Sequence, residues 1–356
     1  MLFGINMQKV RLLLFVFLFM PLAVYAIEAP LQNQAINDTL FAEVASPAQQ
    51  QAVQVETKEE NFMGKLSGFT QSFKSHGGYL DLGLRTGYIY GQNSYDFSQH
   101  TSELEFPFRA YLGGGNINLG YKSISMNSEF WGSMLDDPSA GWHTKDKDWN
   151  GSGQLYSDTK SYSDMNAVIW DANMRYNFFE HSFGKKKAAE DTIKSTNMKL
   201  GLLLGYRYER FGYKDFGLLQ TCDNEGSYGD GQEVSEYKIK YRLPYYGLAM
   251  DMSNDKFGVS LNAKYAFKAH AEDYDNHLLR NLHFYGDYKK SPNVFMASIA
   301  MHRKFNNNWQ INLGADATLV RIDGVTYEED HDPSWDTTQN IDTKQFIYWM
   351  GVGYRF

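Results

Sequence analysis

A run of strict alternation between apolar and polar residues most constrains what this chain can fold into. From Phe257 to Ala269 every second residue is apolar, and the positions between are polar or glycine except for Ala266. Successive side chains of an extended strand point to opposite faces, so the run predicts a β-strand with one apolar and one polar side. It leads directly into Asp273, Asp275 and His277, a group of residues able to transfer protons.

The same period of two recurs from Gly78 to the terminal Phe356 in ten runs. These runs reach the roughly ten residues that cross a bilayer at a tilt, whereas strands of a soluble sandwich, the alternative fold, average about five to six. Their second faces carry Asp, Lys, Arg and Asn in mid-strand, which a water-filled lumen tolerates. The sequence therefore predicts an all-β fold, a ten-stranded antiparallel transmembrane β-barrel.

Connections between the runs alternate in length. Turns at 253–256 and 306–308 are short, while polar stretches at about 91–101, 132–162, 214–233, 273–292 and 326–342 are long. Short periplasmic turns and long extracellular loops are typical of outer-membrane barrels, and an even strand number puts both termini at the periplasmic end. Gly113-Gly114-Gly115 is interpreted as the turn between the second and third strands.

The N-terminal region predicts export. Lys9 and Arg11 precede an apolar run, and Val24-Tyr25-Ala26 offers small residues for cleavage, so residues 1–26 are predicted to be a signal peptide. A membrane anchor is the alternative, but the run is short for one. Residues 27–76, rich in Ala, Gln, Pro and Glu, are interpreted as a flexible periplasmic leader, and residues 77–356 as the barrel.

Composition excludes two classes of function. With 34 Lys and Arg against 42 Asp and Glu, the net charge of -8 argues against non-specific binding to nucleic acid. A single cysteine, Cys222, permits no disulfide within the chain and no cysteine-based metal site.

Two short clusters combine the residue types needed for hydrolysis. Asp146 and Asp148 are two residues apart, so on an extended segment they point the same way and repel, which favours sharing a proton. Asp275 stands two residues before His277, where a carboxylate can orient the ring and stabilise its charged form, as a general base requires. For any Asp-x-Asp sequence, a solvated loop or a calcium site is the alternative interpretation.

Together these clusters resemble the omptins, the ten-stranded outer-membrane endoproteases of Gram-negative bacteria. Asp146-Lys147-Asp148-Trp149 is similar to the family's Asp-x-Asp-Trp pair, and Asp275-Asn276-His277 is similar to its Asp-x-His pair. The resemblance implies that both pairs face one another across an extracellular cleft and hydrolyse peptides with activated water, without a covalent intermediate, a metal or another cofactor. An acidic mouth that includes residues 328–332 would attract cationic peptides.

The resemblance also implies two binding sites. Asp273 matches the residue that receives a basic side chain before the cleaved bond, while the family's second such carboxylate falls here on Gly91, with inward Glu103 or Glu105 as substitutes. Basic residues on the outer wall would hold the lipopolysaccharide that omptins need. Arg210 and Lys240 match two such residues, the second where the family has Arg, and Lys290 is a candidate for a third. A catalytically silent barrel, serving as an adhesin or a structural protein, is the alternative function.

Strict alternation raises one difficulty. Odd-numbered residues of the run at Phe257 face lipid, which would aim Asp273, Asp275 and His277 away from the lumen. The sequence therefore predicts a bulge or a strong twist near Ala269–Glu272.

Overall fold

The computed structural model describes Phe73, Ser75 and residues 77–97, 102–136, 144–150, 152–184, 195–222, 226–279, 281–306, 308–328 and 337–356. The predicted signal peptide, almost all of the predicted leader and most of the acidic stretch at 328–332 lie outside these residues. Within the described part of the chain no helix is long and apolar enough to cross a membrane.

Across the described residues, twelve β-strands form one antiparallel sheet that closes on itself, because β1 pairs with both β2 and β12. The strands are β1 Gly78–Phe97, β2 Ser102–Tyr121, β3 Ile124–Asp136, β4 Thr144–Trp149, β5 Leu155–Phe183, β6 Thr196–Cys222, β7 Gly226–Ser253, β8 Phe257–Ala266, β9 His270–His277, β10 Leu282–Lys304, β11 Trp309–Glu328 and β12 Thr337–Arg355.

The ring has ten positions, which confirms the predicted ten-stranded barrel. β3 and β4 lie one above the other between β2 and β5, and β8 and β9 lie one above the other between β7 and β10. Each of these pairs occupies a single position in the ring, so twelve hydrogen-bonded segments fill ten positions.

Apolar side chains form a belt around the outside of the ring. Aliphatic residues on it are 51–71% exposed, far more than an aqueous surface favours, including Leu84, Leu202, Leu204, Leu248, Met301, Leu313 and Met350. An outward apolar band is how a barrel meets lipid. The belt covers only part of the strand length, since β5, β6 and β7 have 29, 27 and 28 residues.

The long strands correct the interpretation of several predicted loops. Much of 132–162, 214–233 and 273–292 is strand, so both predicted catalytic pairs lie on strands, Asp146 and Asp148 on β4 and Asp275 and His277 on β9. Backbone pairing extends beyond the apolar belt because each strand finds partners on both sides there. Polar composition predicted loops, but it reflects only the watery surroundings of these strand ends.

The charged residues in mid-strand predicted a lumen filled with water along its whole length, but only part of the interior is polar. Its upper half is a packed aromatic core, with Phe106, Phe108, Phe211, Tyr213, Tyr237 and Tyr241 at most 2% exposed. Below it, toward the chain termini, lies a polar cavity of about 390 Å³. Ion pairs line this cavity, among them Arg85–Glu129 at 2.5 Å, Lys264–Asp171 at 2.8 Å and Arg355–Asp81 at 2.6 Å.

Two further expectations about β2 are wrong. Phe106, Phe108 and Ala110 face inward, so Glu103 and Glu105 face outward, where they approach Lys147 and Lys145 at 4.0 and 2.9 Å. They cannot substitute for an inward carboxylate. The triple glycine at 113–115 lies within β2 rather than at its end. Glycine is required at 114, since a Cβ there would overlap the Trp131 ring that packs across it.

Candidate active site

A break between β8 and β9 turns the end of this long strand inward. Ala266 is opposite Tyr245 of β7, and Ala271 is opposite Tyr241, so residues 241–245 of β7 match residues 266–271, which contain one residue more. The extra residue reverses the parity, and Ala271 is fully buried although odd-numbered residues of β8 are exposed. This confirms the predicted irregularity, at Phe267–Ala269, and it makes Asp273, Asp275 and His277 face the interior.

His277 and Asp275 form a hydrogen-bonded pair near the outer end of β9. His277 Nε2 lies 3.0 Å from Asp275 Oδ2, and the two side chains are 20% and 16% exposed. The edge of Phe284 on β10 packs against the imidazole, with ring centroids 5.5 Å apart. If Nε2 carries the proton donated to Asp275, Nδ1 is the basic nitrogen of the neutral ring. The pair therefore has the arrangement of an oriented general base.

Asp146 and Asp148 lie on the inward face of β4. They pair in register with Thr159 and Ser157 of β5, both buried, whereas the intervening Lys145 and Lys147 face outward. Asp146 Oδ1 is shielded from solvent. Two carboxyl groups on alternate residues of one strand therefore face the barrel mouth together.

The two pairs lie on different walls of the mouth. Around the ring, β5, β6 and β7 separate β4 from β9 on one side, and β10, β11, β12, β1 and β2 separate them on the other. In a ring of ten positions this places them close to opposite one another. Inward groups on facing walls can act on one bound peptide from two sides.

Asp273 lies deeper than the catalytic candidates and joins the aromatic core. Tyr237 and Tyr288 hydroxyls donate to its Oδ2 at 3.1 and 3.0 Å, and Tyr288 also contacts Gln339 at 2.6 Å. The pKa of Asp273 is raised to about 8, chiefly by burial and also by the charge of Asp275, while the hydrogen bond from Tyr288 opposes both effects. Asp273 is consequently mostly protonated at neutral pH, although it remains partly accessible from the mouth.

Asp215 on β6 is a functional candidate that the sequence analysis missed. It is 2% exposed and accepts hydrogen bonds from Thr144 of β4 at 2.9 Å, from Ser235 of β7 at 2.7 Å and from Ser163 of β5. Its pKa is raised to about 6, chiefly by burial and also by the charge of Asp275, while the three hydroxyl donors oppose the shift. The available signal was parity, since odd-numbered residues of β6 face inward.

Gly91 lies on the inward face of β1, two residues before the fully buried Asn93 on the same face. Its φ of 146° lies in the region that favours glycine, and a Cβ there would overlap the carbonyl oxygen of Lys344. The chain therefore carries no side chain at the position that the resemblance associates with a second carboxylate.

The three predicted lipid-binding residues are only partly together. Arg210 and Lys240 are register partners on β6 and β7, and both face outward above the apolar belt. Lys290 lies on β10, beyond β9 and within an irregular stretch between Tyr288 and Asn293. Geometry therefore joins the first two into one cationic patch and separates the third.

The structure shows no cluster of three or more His, Cys, Asp or Glu side chains placed to hold a metal ion among the residues it describes. Residues 329–332 of the acidic stretch lie outside the described part of the chain.

The sequence of the chain is similar to those of known bacterial proteins. Over 257 residues the chain is 23% identical to the plasminogen activator of Yersinia pestis, covering 66% of this chain and 74% of that protein. It is 25% identical to protease 7 of Escherichia coli O157:H7 over 177 residues, covering 46% of this chain and 56% of the relative.

The barrel also superposes on a solved structure. The outer membrane protease OmpT from Escherichia coli matches with a TM-score of 0.63 and 19% identity, covering 78% of this chain and 97% of that one. The model of the omptin family matches residues 80–356, which is the whole ring from β1 to β12. The chain is an outer-membrane β-barrel of the Gram-negative type with its mouth toward the exterior, and it belongs to the omptin family.

Proposed function

We propose that this protein is a cell-surface endopeptidase that cleaves peptides with water activated by His277 and Asp275, opposite Asp146 and Asp148. Family membership supports peptidase activity in general, because its relatives carry the names of proteases. The observation that carries the residue assignment is the His277–Asp275 pair at 3.0 Å, turned into the mouth by an extra residue in its strand. Two inward carboxyl groups on the far wall supply the second half of the constellation.

In the proposed mechanism, water attacks the peptide carbonyl carbon while His277 Nδ1 accepts the water proton. Asp275 holds the ring through Nε2 and stabilises the imidazolium. The aspartate pair shares one proton, which it uses to hydrogen-bond the oxyanion of the tetrahedral intermediate. The imidazolium then donates its proton to the leaving amine. Every step uses the chain's own residues and water, and no group becomes covalently attached to the enzyme.

The substrates are proposed to be cationic peptides or proteins. Asp146, Asp148 and Asp275 line the mouth and the buried Asp215 lies behind them, and their negative potential raises the local concentration of positive ligands. Asp273 is proposed to receive a basic side chain at P1, the residue before the cleaved bond. Because Asp273 holds its proton to about pH 8, it must ionise to pair with that side chain.

Lipopolysaccharide is the proposed activating partner, held by Arg210 and Lys240. These residues are neighbours on the outer wall, at the upper edge of the apolar belt where lipid phosphates lie. Arg242, close by on β7, is neutralised by Glu272 at 2.6 Å, whereas neither Arg210 nor Lys240 has a carboxylate within ion-pair distance in the described parts of the chain. Two cations without such partners suit a phosphate group.

The test is hydrolysis of a quenched dibasic peptide library by refolded protein with lipopolysaccharide. Wild type is expected to cleave, and His277→Ala and Asp148→Ala are each expected to lose about 10²–10⁴-fold in kcat. Two matched controls remove outward-facing side chains that lie close in the chain to the catalytic candidates. His283→Ala removes a histidine that bonds the outward Tyr274 at 3.2 Å, and Lys147→Ala removes an outward neighbour of Asp148.

Both controls are expected to retain wild-type kcat. A folded wild type that cleaves no library member, with lipopolysaccharide present, would support the silent-barrel alternative. Activity in His277→Ala equal to wild type would remove the histidine from the mechanism.

A further inference from the structure

Asp215 connects the two walls that carry the catalytic candidates. Its Oδ1 accepts from the hydroxyl of Thr144, on the same strand and face as Asp146 and Asp148, and from Ser163. Its Oδ2 accepts from Ser235 of β7 at 2.7 Å. The Thr144 and Ser163 hydroxyls also contact each other. One buried carboxylate thus holds three neighbouring strand positions of the mouth at once.

These contacts form part of a lateral row that ends at the catalytic histidine. Ser163 of β5 pairs with Asp215 of β6, Asp215 pairs with Ser235 of β7, and Ser235 pairs with His277 of β9. Thr144 adds β4 at the other end of the row. The row spans the shorter arc between the two walls, and Asp215 is its only ionisable member besides His277.

Three hydroxyl donors aimed at one carboxyl group suit its ionised form, which can only accept. Asp215 and His277 lie two strand spacings apart, roughly 10 Å. The ionisable groups around the histidine come from its own strand and from the strands facing it. Within the described part of the chain they include Asp275 and Asp273 on β9, Tyr237 on β7, Asp215 on β6, and Asp146 and Asp148 on β4.

We propose that Asp215 is a positioning residue of the active site, which fixes β4 relative to β7 and β9 and adds a negative charge behind His277. The inference rests on the proposed peptidase function. Asp215 is buried and does not touch substrate, so it acts through Thr144 and Ser235. Its carboxylate also favours the charged imidazolium, which would raise the pH at which His277 becomes an active base.

The test compares the pH dependence of kcat and KM for wild type, Asp215→Ala, Asp215→Asn and Thr144→Val on one cationic peptide. Asp215→Ala, which loses charge and contacts, is expected to lose at least about tenfold in kcat with KM within twofold. Asp215→Asn, which keeps an acceptor and a donor, is expected to stay within about threefold. Both should move the acid limb down by about half a pH unit, the effect of one charge at that distance in a wet mouth.

Thr144→Val removes one link without changing charge, so it should lower kcat severalfold and leave the acid limb in place. Asp316→Asn is the matched control, because Asp316 is a carboxylate in the polar cavity below, bonded by Trp349 Nε1 at 2.8 Å. It should match wild type in both measurements. Folding of each variant is checked by near-ultraviolet circular dichroism.

The outcomes separate the two proposals. A wild type that cleaves nothing defeats the peptidase function, and this inference with it. A wild type that cleaves, with Asp215→Ala unchanged in kcat and acid limb, defeats this inference alone. If Asp215→Ala fails to fold, the decision rests on the other two variants. An unmoved acid limb in Asp215→Asn together with full kcat in Thr144→Val would then overturn the inference.

Discussion

Replacing Asp273 by Asn should remove a large part of the pH dependence of barrel stability. Burial raises the pKa of Asp273 from its usual 3.8 to about 8, so the folded barrel favours the protonated carboxyl. Above pH 4 the unfolded chain releases this proton freely, whereas the folded chain holds it until about pH 8. The free energy of unfolding therefore falls as pH rises through this window and levels off above it.

The size of the effect follows from the shift. One pH unit of pKa difference corresponds to 1.36 kcal/mol, so the interval from pH 5 to pH 8 contributes at most about 4 kcal/mol. Asn keeps an acceptor oxygen for the hydroxyls of Tyr237 and Tyr288, which limits the structural cost of the substitution. Wild type should thus lose up to about 4 kcal/mol more than Asp273→Asn between pH 5 and pH 9.

The assay is reversible urea unfolding of protein refolded in lipid vesicles, followed by tryptophan fluorescence at pH 5, 7 and 9. Asp255→Asn is the control, because it removes an exposed carboxylate in the turn between β7 and β8. This control should keep the wild-type pH dependence. If Asp273→Asn and wild type lost stability in parallel from pH 5 to pH 9, the protonated, tyrosine-bonded state assigned to Asp273 would be wrong.

Three further predictions concern activity and the lipid contact. Asp275→Asn should lower kcat by about 10²–10⁴-fold with little change in KM in steady-state assays, since it removes the charge that orients and stabilises the imidazole; unchanged kcat would refute the pair. The ratio of kcat/KM for Arg-P1 over Gln-P1 peptides should rise between pH 6.5 and 9 as Asp273 ionises, and a flat ratio would exclude it from P1 recognition. Lys240→Ala and Arg210→Ala should each raise the lipopolysaccharide concentration for half-maximal activation about tenfold, because each removes a charge-assisted hydrogen bond of roughly 1.5 kcal/mol. Titration curves equal to that of wild type would exclude these two residues from lipopolysaccharide binding.

The geometry of the mouth explains why a barrel suits this chemistry. β4 and β9 are the upper segments of their ring positions, each hydrogen-bonded on both sides, so their side chains are held more rigidly than those of a free loop. The packed aromatic core lies beneath the candidate catalytic groups and fills the lumen there. Peptide can therefore approach from the outside while the polar cavity below stays separate.

The alternation of the sequence determined the fold. When apolar and polar residues alternate, a strand has one apolar and one polar face, and runs as long as these predict a membrane barrel. The structure and the similarity to a solved outer-membrane barrel confirm this prediction. Residue type and spacing also singled out Asp146, Asp148, Asp275 and His277, because these chemistries are local in the chain. Their catalytic roles remain predictions. Even the break before His270 was predictable, since unbroken parity would have aimed three reactive residues at lipid.

Only the tertiary structure decided what faces what inside the ring. Alternation states that two faces differ but not which is the lumen, so β2 was assigned the wrong way round and Glu103 and Glu105 were placed inside. Parity alone places Asp215 on the inward face of β6, but its three donors come from strands far apart in the chain, so its role was not visible in the sequence. Likewise, strands β7 and β10 bury Asp273, and this burial raises its pKa although the Tyr288 hydroxyl that donates to it opposes the shift. Such environments arise only when the ring closes and distant strands come into register.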